Sequence, residues 1–367
     1  MRIAHVGSKG IPSRGGTERV VEAVARRHAR DHVVTVYGSR LVCRSALVEG
    51  VRVRALPALT GKHLGPVCLE TAYALHALLR GSYDVVHLHG AENAFVLPVL
   101  RARFPVVTTN HGPAYEREKW SASARRVIRS VEPLSVLGAS SATAVADVQA
   151  ERLSRTYRRP VVWIPNGMDL EPDVDEDGAR ALLRHLGLEP GHFWMFAAAR
   201  VDPTKGCLTL IEAHRETADD PLLVVGDLHY ADGHEDRLRR AARDNVRFLP
   251  RLDDRAVLLG LVRQARLFVF PSTVEAMSMM LLEAVGQRTL TLAGDIPENT
   301  TILPDWFPTF RAGDAGDLAR KAKWLLEVEP DVAGELAAEA AEWVAERFDW
   351  DRIADQYMEV YESVLSS

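Results

Sequence analysis

The sequence predicts an α/β protein made of two doubly wound, parallel-sheet domains. At 367 residues the chain is longer than one hydrophobic core usually supports, so two domains of roughly 150–200 residues each are expected. Strand-like apolar runs alternate with helix-like stretches, which indicates parallel strands joined by crossover helices. The pattern breaks at Pro165-Asn166-Gly167, where an acidic run, EPDVDEDGAR, follows. We therefore place the domain boundary at this break.

The first domain begins with a strand at Arg2–Gly7, a glycine-punctuated loop at Ser8–Gly16 and a helix at Thr17–Ala29. Apolar residues recur at helical spacing within Thr17–Ala29, and a second helical pattern covers Leu69–Leu79. The other strands predicted here are Val33–Tyr37, Val51–Leu56, Val85–His89, Val106–Thr109, Thr143–Ala146 and Val161–Ile164.

The second domain repeats the alternation. Its predicted strands are Phe193–Ala198, Leu222–Val225, Val246–Leu249, Leu267–Phe270 and Thr289–Leu292. Its predicted helices are Cys207–His214, Ser278–Val285, Asp317–Leu326 and Val332–Arg347. Two doubly wound domains joined by a short linker predict a cleft between the carboxyl ends of their sheets, where ligands of such folds bind.

Composition favours a reducing, aqueous compartment. The three cysteines, Cys43, Cys68 and Cys207, are far apart and odd in number, which argues against a disulfide framework or a cysteine-based metal site. No apolar run approaches the ~20 residues of a membrane span, and MRIAHVG reads as a strand rather than as a signal peptide. We expect a cytoplasmic protein.

Charge is distributed unevenly along the chain. Residues 1–165 contain 24 Lys+Arg and 12 Asp+Glu, whereas the remainder contains 21 and 38. A basic half suggests an anionic partner, either a phosphorylated acceptor or the inner face of a membrane, and a solvated arginine-rich surface is the equal alternative. The basic stretch Lys119–Leu137 can contact a bilayer, but a helix with a solvated basic face is the favoured interpretation.

One stretch after a buried strand carries two acids. Glu275 lies in the loop that follows Leu267–Phe270, and Glu283 lies in the next predicted helix. The loop opens a helix N-terminus, where backbone N–H groups favour an anion. The stretch can therefore hold sugar hydroxyls, phosphates and ribose hydroxyls; two solvated glutamates are the alternative.

Other candidates also follow predicted strands. Arg200 and Lys205 flank a turn before a helix and can clamp a diphosphate, although an ordinary basic loop fits equally well. His111 follows Val106–Thr109 and can donate to a sugar hydroxyl or move a proton, whereas a lone histidine is more often structural. Gly15-Gly16 precede a helix without forming a dinucleotide fingerprint, so a tight turn is the simpler interpretation.

Three further histidines and one acidic pair are assigned structural roles. His5, His87 and His89 lie within strands and are interpreted either as core residues or as residues that support a site side chain. Asp173-Val174-Asp175 matches a metal–nucleotide pattern, but it lies in the acidic linker rather than after a strand. We expect no metal site.

Taken together, these residues resemble glycosyltransferase family 4, which has the GT-B fold, over almost the whole chain. Glu275 and Glu283, with LLEA and DIPEN following, resemble the E-x7-E donor motif of that family, and AARVDPTKG resembles its diphosphate loop. VVWIPNGMD resembles its interdomain signature, and FDWDRIADQYMEVY the terminal helix that returns to the first domain. GSKGIPSRGGTE and NHGPAYEREKW are similar to a bacterial subgroup that transfers rhamnosyl and related hexosyl groups.

The resemblance implies a GT-B architecture of two Rossmann-like domains. Residues 1–166 would bind the acceptor, with a helix at about residues 350–367 packing back on them, and residues 167–349 would bind the donor. Glu283 would hold the nucleotide ribose and Glu275 the sugar hydroxyls. This chain departs from the family's pattern at Ala276, which stands where a glycine often follows the first glutamate.

The resemblance also assigns the leaving group and the reacting sugar. Arg200 and Lys205 would neutralise the departing diphosphate, Gly16 would donate its amide to a phosphate, and His111 would bind the sugar near the reacting carbon. The implied catalytic residues are His111, Glu275, Arg200 and Lys205. Further donor contacts are implied for Gly15, Arg251, Leu252, Ala276, Met277 and Ser278.

The predicted function is metal-independent, retaining transfer of a hexosyl group from a nucleotide-diphosphate sugar to an acceptor hydroxyl. The acceptor would be a glycan, a lipid-linked sugar or a natural product, and no cofactor or nucleic acid is expected. One alternative is a nucleotide-sugar 2-epimerase or hydrolase, which would consume donor without acceptor. The other is a catalytically silent sugar-nucleotide-binding subunit.

Overall fold

A computed structural model provides the structure, which describes residues 1–13, 15–58, 64–112, 122–217, 220–229 and 233–366. The chain forms two compact units. Unit 1 contains Met1–Gly167 and the terminal segment Trp350–Ser367, and unit 2 contains Met168–Asp349. The predicted class, two doubly wound α/β domains, is confirmed. The cleft between them stays a prediction.

Unit 1 is built on an eight-stranded sheet in the order β3-β4-β2-β1-β5-β6-β7-β8. Every neighbouring pair is parallel except β3–β4, which is antiparallel. The strands are β1 (Arg2–Val6), β2 (Val33–Ser39), β3 (Leu47–Val48), β4 (Val51–Leu56), β5 (Val85–His89), β6 (Val106–Asn110), β7 (Ser141–Ala144) and β8 (Val161–Trp163).

Helices cover both faces of this sheet, and the last of them comes from the end of the chain. They are α1 (Gly16–His28), α2 (Leu64–Arg80), α3 (Leu97–Arg101), α4 (Ala122–Leu137), α5 (Asp147–Tyr157) and α14 (Trp350–Leu365). Helix α14 packs on α1, where Arg27 Nε donates to Asp351 Oδ1 at 2.6 Å and His28 Nε2 lies 2.8 Å from the Ala354 carbonyl oxygen. A terminal helix therefore completes the N-terminal unit.

Unit 2 is built on a six-stranded parallel sheet in the order β11-β10-β9-β12-β13-β14. Its strands are β9 (Trp194–Arg200), β10 (Leu222–Asp227), β11 (Val246–Leu249), β12 (Leu267–Phe270), β13 (Thr291–Gly294) and β14 (Thr309–Phe310). Its helices are α6 (Glu176–Leu186), α7 (Cys207–Thr217), α8 (His234–Ala241), α9 (Arg255–Gln264), α10 (Met279–Gly286), α11 (Pro297–Thr300), α12 (Ala315–Glu327) and α13 (Pro330–Arg347).

The apolar runs become the cores that the alternation predicts. In β12, Leu267–Phe270 is buried throughout because helices cover both faces of a parallel sheet. Asp175, half of the DxD-like pair, is the N-cap of α6 and its Oδ1 accepts the Gly178 amide at 2.8 Å. Within the described part of the chain, no helix is both long and apolar enough to cross a bilayer.

Two predicted strands are displaced along the chain by two residues from the observed ones. The strand predicted at Thr143–Ala146 begins at Ser141 and ends at Ala144, because Ser141 pairs with Val107 of β6. The strand predicted at Thr289–Leu292 runs from Thr291 to Gly294, where Gly294 pairs with Phe310 of β14. Neighbouring strands set these ends, and short polar stretches carry little local signal.

The basic stretch is partly described. Helix α4 covers Ala122–Leu137 of it, whereas Lys119, Trp120 and Ser121 lie outside the described residues. Arg125, Arg126 and Arg129 are exposed, Ile128 packs in the core and the Val127 side chain is 64% exposed. The described part of the helix has an exposed basic face, and two of its apolar residues, Ile128 and Val136, are buried.

Candidate active site

The strand order of unit 2 reverses between β9 and β12. The chain proceeds from β9 outward through β10 to β11, then returns to the other side of β9 and proceeds through β12, β13 and β14. Loops that leave neighbouring parallel strands at such a reversal diverge and leave a crevice at the carboxyl edge of the sheet. The loops after β9 and β12 carry Lys205 and Glu275, so both predicted residues lie at this edge.

The loop after β9 is a tight, self-bonded turn. Asp202 Oδ1 accepts from the Thr204 amide at 3.1 Å and from Thr204 Oγ1 at 2.5 Å. A single 3-10 turn, Pro203–Lys205, ends at Gly206, whose φ of +68° lies in the left-handed region that favours glycine. A Cβ on Gly206 would collide with the Pro271 carbonyl oxygen. Glycine thus allows this loop to approach the end of β12.

The loops after β9 and β12 are joined directly. The Thr273 amide donates to the Thr204 carbonyl oxygen at 2.8 Å. Beside this bond, Lys205 Nζ donates to Glu275 Oε1 at 2.5 Å, with the two side chains 24% and 10% exposed. The structure therefore brings two of the predicted catalytic residues into contact, in a partly buried ion pair.

The loop then turns into α10. Ala276 is half-buried and Met277 is 5% exposed, so this part of the loop is anchored on the core. Ser278 is the N-cap of α10, and its Oγ accepts the Leu281 amide at 3.3 Å. The cap fixes the start of a helix whose first amides have no intrahelical partner.

Glu283 lies in α10 and is nearly buried, at 7% exposure. Its Oε2 pairs with Nη2 of Arg255, the first residue of α9, which follows the N-cap Asp254. Arg255 is not among the site residues predicted from the sequence. A signal was available, because a buried carboxylate needs a cationic or hydrogen-bonding partner and a basic residue begins the preceding helix.

Other predicted donor-side residues lie along the same edge of the sheet. Arg200 is the last residue of β9, is exposed and pairs in register with Asp227 of β10. Arg251 follows β11 and its Nη2 lies 3.3 Å from Asp253 Oδ1, while Leu252 is half-buried. Parallel strands place all three at the carboxyl edge.

In unit 1, the predicted glycines and the predicted histidine lie in loops that follow parallel strands of the sheet. Gly15 is the N-cap of α1 with extended backbone, and Gly16 is the exposed first residue of that helix. His111 directly follows β6 and is 9% exposed. The strands β1 and β6 are separated by β5 alone, so both loops leave the same edge of the sheet.

His111 is the end of a chain of buried imidazoles. Its Nε2 lies 3.1 Å from His89 Nδ1, and His89 Nε2 lies 3.0 Å from His5 Nδ1. Burial lowers the pKa of His5 to about 3 and holds the pKa of His89 well below its usual value. His5 and His89 are buried, and His89 contacts the candidate His111, so the two predicted roles, core and support of a site side chain, occur together.

His87 connects the same face to α14. Its Nδ1 lies 2.7 Å from Tyr361 Oη and its Nε2 lies 2.6 Å from Thr109 Oγ1. His5, His87 and His89 offer nitrogens within 4.8 Å of one another, which is the spacing of a metal-ligand set. Both nitrogens of His87 and both of His89 are already engaged with protein groups, so the arrangement does not fit a metal.

Two family models match the chain. The one described as Glycosyltransferase Family 4 matches residues 14–172, and the one described as Glycosyl transferases group 1 matches residues 182–346. Phosphatidyl-myo-inositol mannosyltransferase of Mycobacterium tuberculosis is 28% identical over 79% of this chain and 76% of its own.

Two further relatives extend over both units. GDP-mannose:cellobiosyl-diphosphopolyprenol alpha-mannosyltransferase of Xanthomonas campestris is 23% identical over 100% of this chain and 98% of its own. The Anabaena protein HepE, solved in complex with UDP and glucose, has a TM-score of 0.80 at 19% identity, over 99% of this chain and 100% of that one.

The fold and these matches define a glycosyltransferase of the GT-B class, an enzyme that transfers a sugar from a nucleotide sugar. Within that class, the chain belongs to glycosyltransferase family 4.

Proposed function

We propose that the protein is a retaining, metal-independent hexosyltransferase whose donor, a nucleoside-diphosphate hexose, binds at the carboxyl edge of the unit 2 sheet. The observation that carries the proposal is the contact between Lys205 and Glu275, held by the bond between Thr204 and Thr273. A cation and an acid in contact at a strand-order reversal can serve two adjoining parts of one ligand, the diphosphate and the sugar.

The proposed chemistry follows the charge that develops. The bond between the anomeric carbon and the diphosphate oxygen breaks, the acceptor oxygen bonds to that carbon on the same face, and the acceptor proton passes to the leaving phosphate. Negative charge grows on the diphosphate, where Lys205, Arg200 and the N-terminus of α7 can stabilise it. Glu275 would hold the sugar hydroxyls, Glu283 would hold the ribose, and His111 would bind the sugar.

The names of the relatives suggest which substrates to try first. Two of them are mannosyltransferases, one acting on phosphatidyl-myo-inositol and one using GDP-mannose with a diphosphopolyprenol acceptor. We infer GDP-mannose as the first donor and a lipid-linked, phosphate-bearing acceptor. The first 165 residues contain 24 basic and 12 acidic residues, and such a positive balance would attract a phosphate-bearing acceptor at the inner face of a membrane.

The first test is thermal unfolding with a panel of nucleoside diphosphates and their sugars. A ligand present at 100 times its Kd stabilises the native state by about 2.7 kcal/mol. We expect a shift with one base in the wild type, and loss of that shift in Lys205→Ala. The matched control is Lys323→Ala, a change at an exposed lysine of α12, which should retain the shift. Absence of any shift in the wild type would refute donor binding by unit 2, whereas a shift without turnover across a panel of acceptors would favour the silent-subunit alternative.

The second test identifies the product. After incubation with the donor found above and a lipid acceptor, NMR of the new glycoside should give the anomeric configuration of the donor. Inversion would refute the retaining mechanism. Donor consumption at the same rate without acceptor would favour the epimerase or hydrolase alternative, and unchanged activity after exhaustive chelation is expected of a metal-independent enzyme.

A further inference from the structure

Three imidazoles of unit 1 are bonded nitrogen to nitrogen. His89 uses Nδ1 toward His111 Nε2 at 3.1 Å and Nε2 toward His5 Nδ1 at 3.0 Å. His5 and His89 are fully buried. At each contact one nitrogen must donate and the other must accept, so the three rings share a single direction of donation.

Neutrality of the rings restricts the chain to two arrangements. Burial favours the uncharged imidazole of His5 and of His89, and His5 and His111 further disfavour a charge on His89. A neutral His89 carries one proton, and it therefore donates either to His111 or to His5. In the first arrangement His5 donates to His89, and in the second it accepts from His89.

The far end of the chain distinguishes the two. Among the residues that the structure describes, His5 Nε2 has no hydrogen-bond partner and is buried. If His89 donated to His5, the proton of His5 would lie on this nitrogen as a buried N–H without an acceptor. If His5 donates from Nδ1, its Nε2 carries only an unsatisfied lone pair. Buried N–H donors without an acceptor are rarer than buried acceptors without a donor, so the arrangement in which His5 donates is favoured.

We propose that His89 is a positioning residue which, backed by His5, donates from Nδ1 to His111 and holds His111 as the Nδ1–H tautomer. His111 then offers its ligand a hydrogen-bond donor, so the group it binds is an acceptor oxygen such as a sugar hydroxyl. It does not serve as the base that removes a proton. The role of His111 toward a sugar hydroxyl rests on the proposed function, whereas the assignment of its tautomer does not.

The backbone supports this arrangement. Gly7, with a φ of +97°, abuts the His89 carbonyl oxygen so closely that a Cβ would collide with it. Asn93 Nδ2 donates to the same oxygen at 2.8 Å. The strand carrying His89 is therefore fixed at the residue that bonds to His111.

Long-range 1H–15N NMR of histidine-labelled protein tests the tautomer directly. The His111 signals are assigned by their loss in His111→Gln. We expect Nδ1 of His111 to be protonated and Nε2 to be bare in the wild type. A protonated Nε2 on His111 would overturn the proposal, and so would displacement of the His5, His87 and His89 signals by added Zn²⁺, which would identify a metal site instead.

Variants then separate tautomer from catalysis. His89→Leu should give a mixed His111 tautomer and roughly tenfold lower kcat/KM, whereas His89→Asn, whose amide can still donate to His111, should recover both. His5→Leu should also mix the tautomer and serves if His89→Leu fails to fold. The control is His76→Asn, which removes a histidine bonded to Tyr37 elsewhere in the unit and should change neither.

The two readouts fail separately. Absence of transferase activity with a correct His111 tautomer would refute the proposed function and leave the histidine chain standing. Full activity in a folded His89→Leu that has lost the tautomer would refute the positioning role and leave the transferase standing.

Discussion

The two candidate acids of unit 2 each have a basic partner from another loop or helix. Glu275 is paired with Lys205, and Glu283 is paired with Arg255. A carboxylate that is 7–10% exposed is costly to keep charged unless a cation or several hydrogen bonds offset its desolvation. The bases therefore hold both side chains in place, where the proposed function has them accept from sugar or ribose hydroxyls.

Arg255 should matter for nucleotide binding. Replacing it with methionine in Arg255→Met leaves Glu283 without its cation, so the carboxylate rotates or takes up a proton. We expect nucleoside-diphosphate affinity to fall roughly tenfold, which is about 1.4 kcal/mol. Calorimetric titration measures it. The control is Arg263→Met on the same helix, because Arg263 pairs with Glu176 and Gln287 instead. Equal losses in both variants would contradict the assignment.

Glu275→Gln should separate binding from turnover. The amide keeps the shape of the side chain but releases Lys205 from its ion pair. We expect the free nucleoside diphosphate to bind at least as tightly as in the wild type, while kcat falls about 100-fold, the scale of losing one electrostatic contact to the reacting group. Titration and initial rates measure the two effects. Weaker diphosphate binding would indicate that the pair as a whole forms the phosphate site.

At the scale of elements, the candidate site of unit 2 depends on the loops after β9 and β12, which approach each other closely. The turn after β9 is closed by Asp202 and ends at Gly206, which abuts Pro271 at the end of β12. The contact joins two backbones, so no flexible side chain can move to make room for a larger residue. The position of the Lys205 side chain therefore depends on Gly206 as well as on the lysine itself.

Gly206→Ala should lower the free energy of unfolding by more than the cost of placing alanine in a left-handed backbone conformation. Gly187 has the same φ of +68°, but a Cβ added to it would meet nothing within 4 Å, so Gly187→Ala measures the left-handed cost alone, about 1–2 kcal/mol. We expect Gly206→Ala to lose a further 1–3 kcal/mol, roughly the usual range for overpacking, and to lose diphosphate binding. Urea unfolding of the two variants gives the comparison, and equal losses would show that the crowding relaxes freely.

At the scale of the whole molecule, the two units differ in what they bury. Unit 2 has an apolar core formed around Trp194, Phe196 and the strands of its sheet. Unit 1 has an apolar core on one face and, on the face covered by α14, a polar row of His5, His87 and Thr109. Buried neutral histidines make that unit sensitive to acid.

Unit 1 should lose stability as the pH falls below neutrality. Burial lowers the pKa of His5 to about 3 and of His28 to about 4, so below the unfolded value of 6.5 the unfolded chain binds more protons than the folded one. The stability is present above pH 6.5 and declines toward pH 4, by about 1.4 kcal/mol per pH unit for each such histidine. This window precedes the titration of most carboxylates.

Hydrogen exchange of peptides from β5 and β6 at about pH 7 and about pH 5, corrected for intrinsic rates, measures this decline. The control is His28→Gln, whose amide can still donate to the Ala354 carbonyl oxygen but does not titrate, and which should flatten the decline by one histidine's share. Equal protection at both pH values in the wild type would contradict the prediction.

The local features of this protein can be read from its amino-acid sequence without a structure. The strands predicted at Val51–Leu56, Val246–Leu249 and Leu267–Phe270 have the observed bounds. Leu267–Phe270 is recognisable without its neighbours because burial on both faces of a parallel sheet leaves an apolar run, whereas Val51–Leu56 alternates buried apolar residues with exposed arginines. The candidate acids, Glu275 and Glu283, and the candidate lysine could be named for the same reason, since each directly follows such a run or lies in the next helix.

Which of these residues meet is a property of the folded chain. Lys205 and Glu275 are 70 residues apart, and they touch because β12 returns to lie beside β9. Arg255 finds Glu283, and His89 links His5 to His111, through contacts between separate strands and helices. Hydrophobic periodicity is a local property that any buried strand shares, whereas strand order is set by how the whole sheet closes its core, and no single segment carries that information.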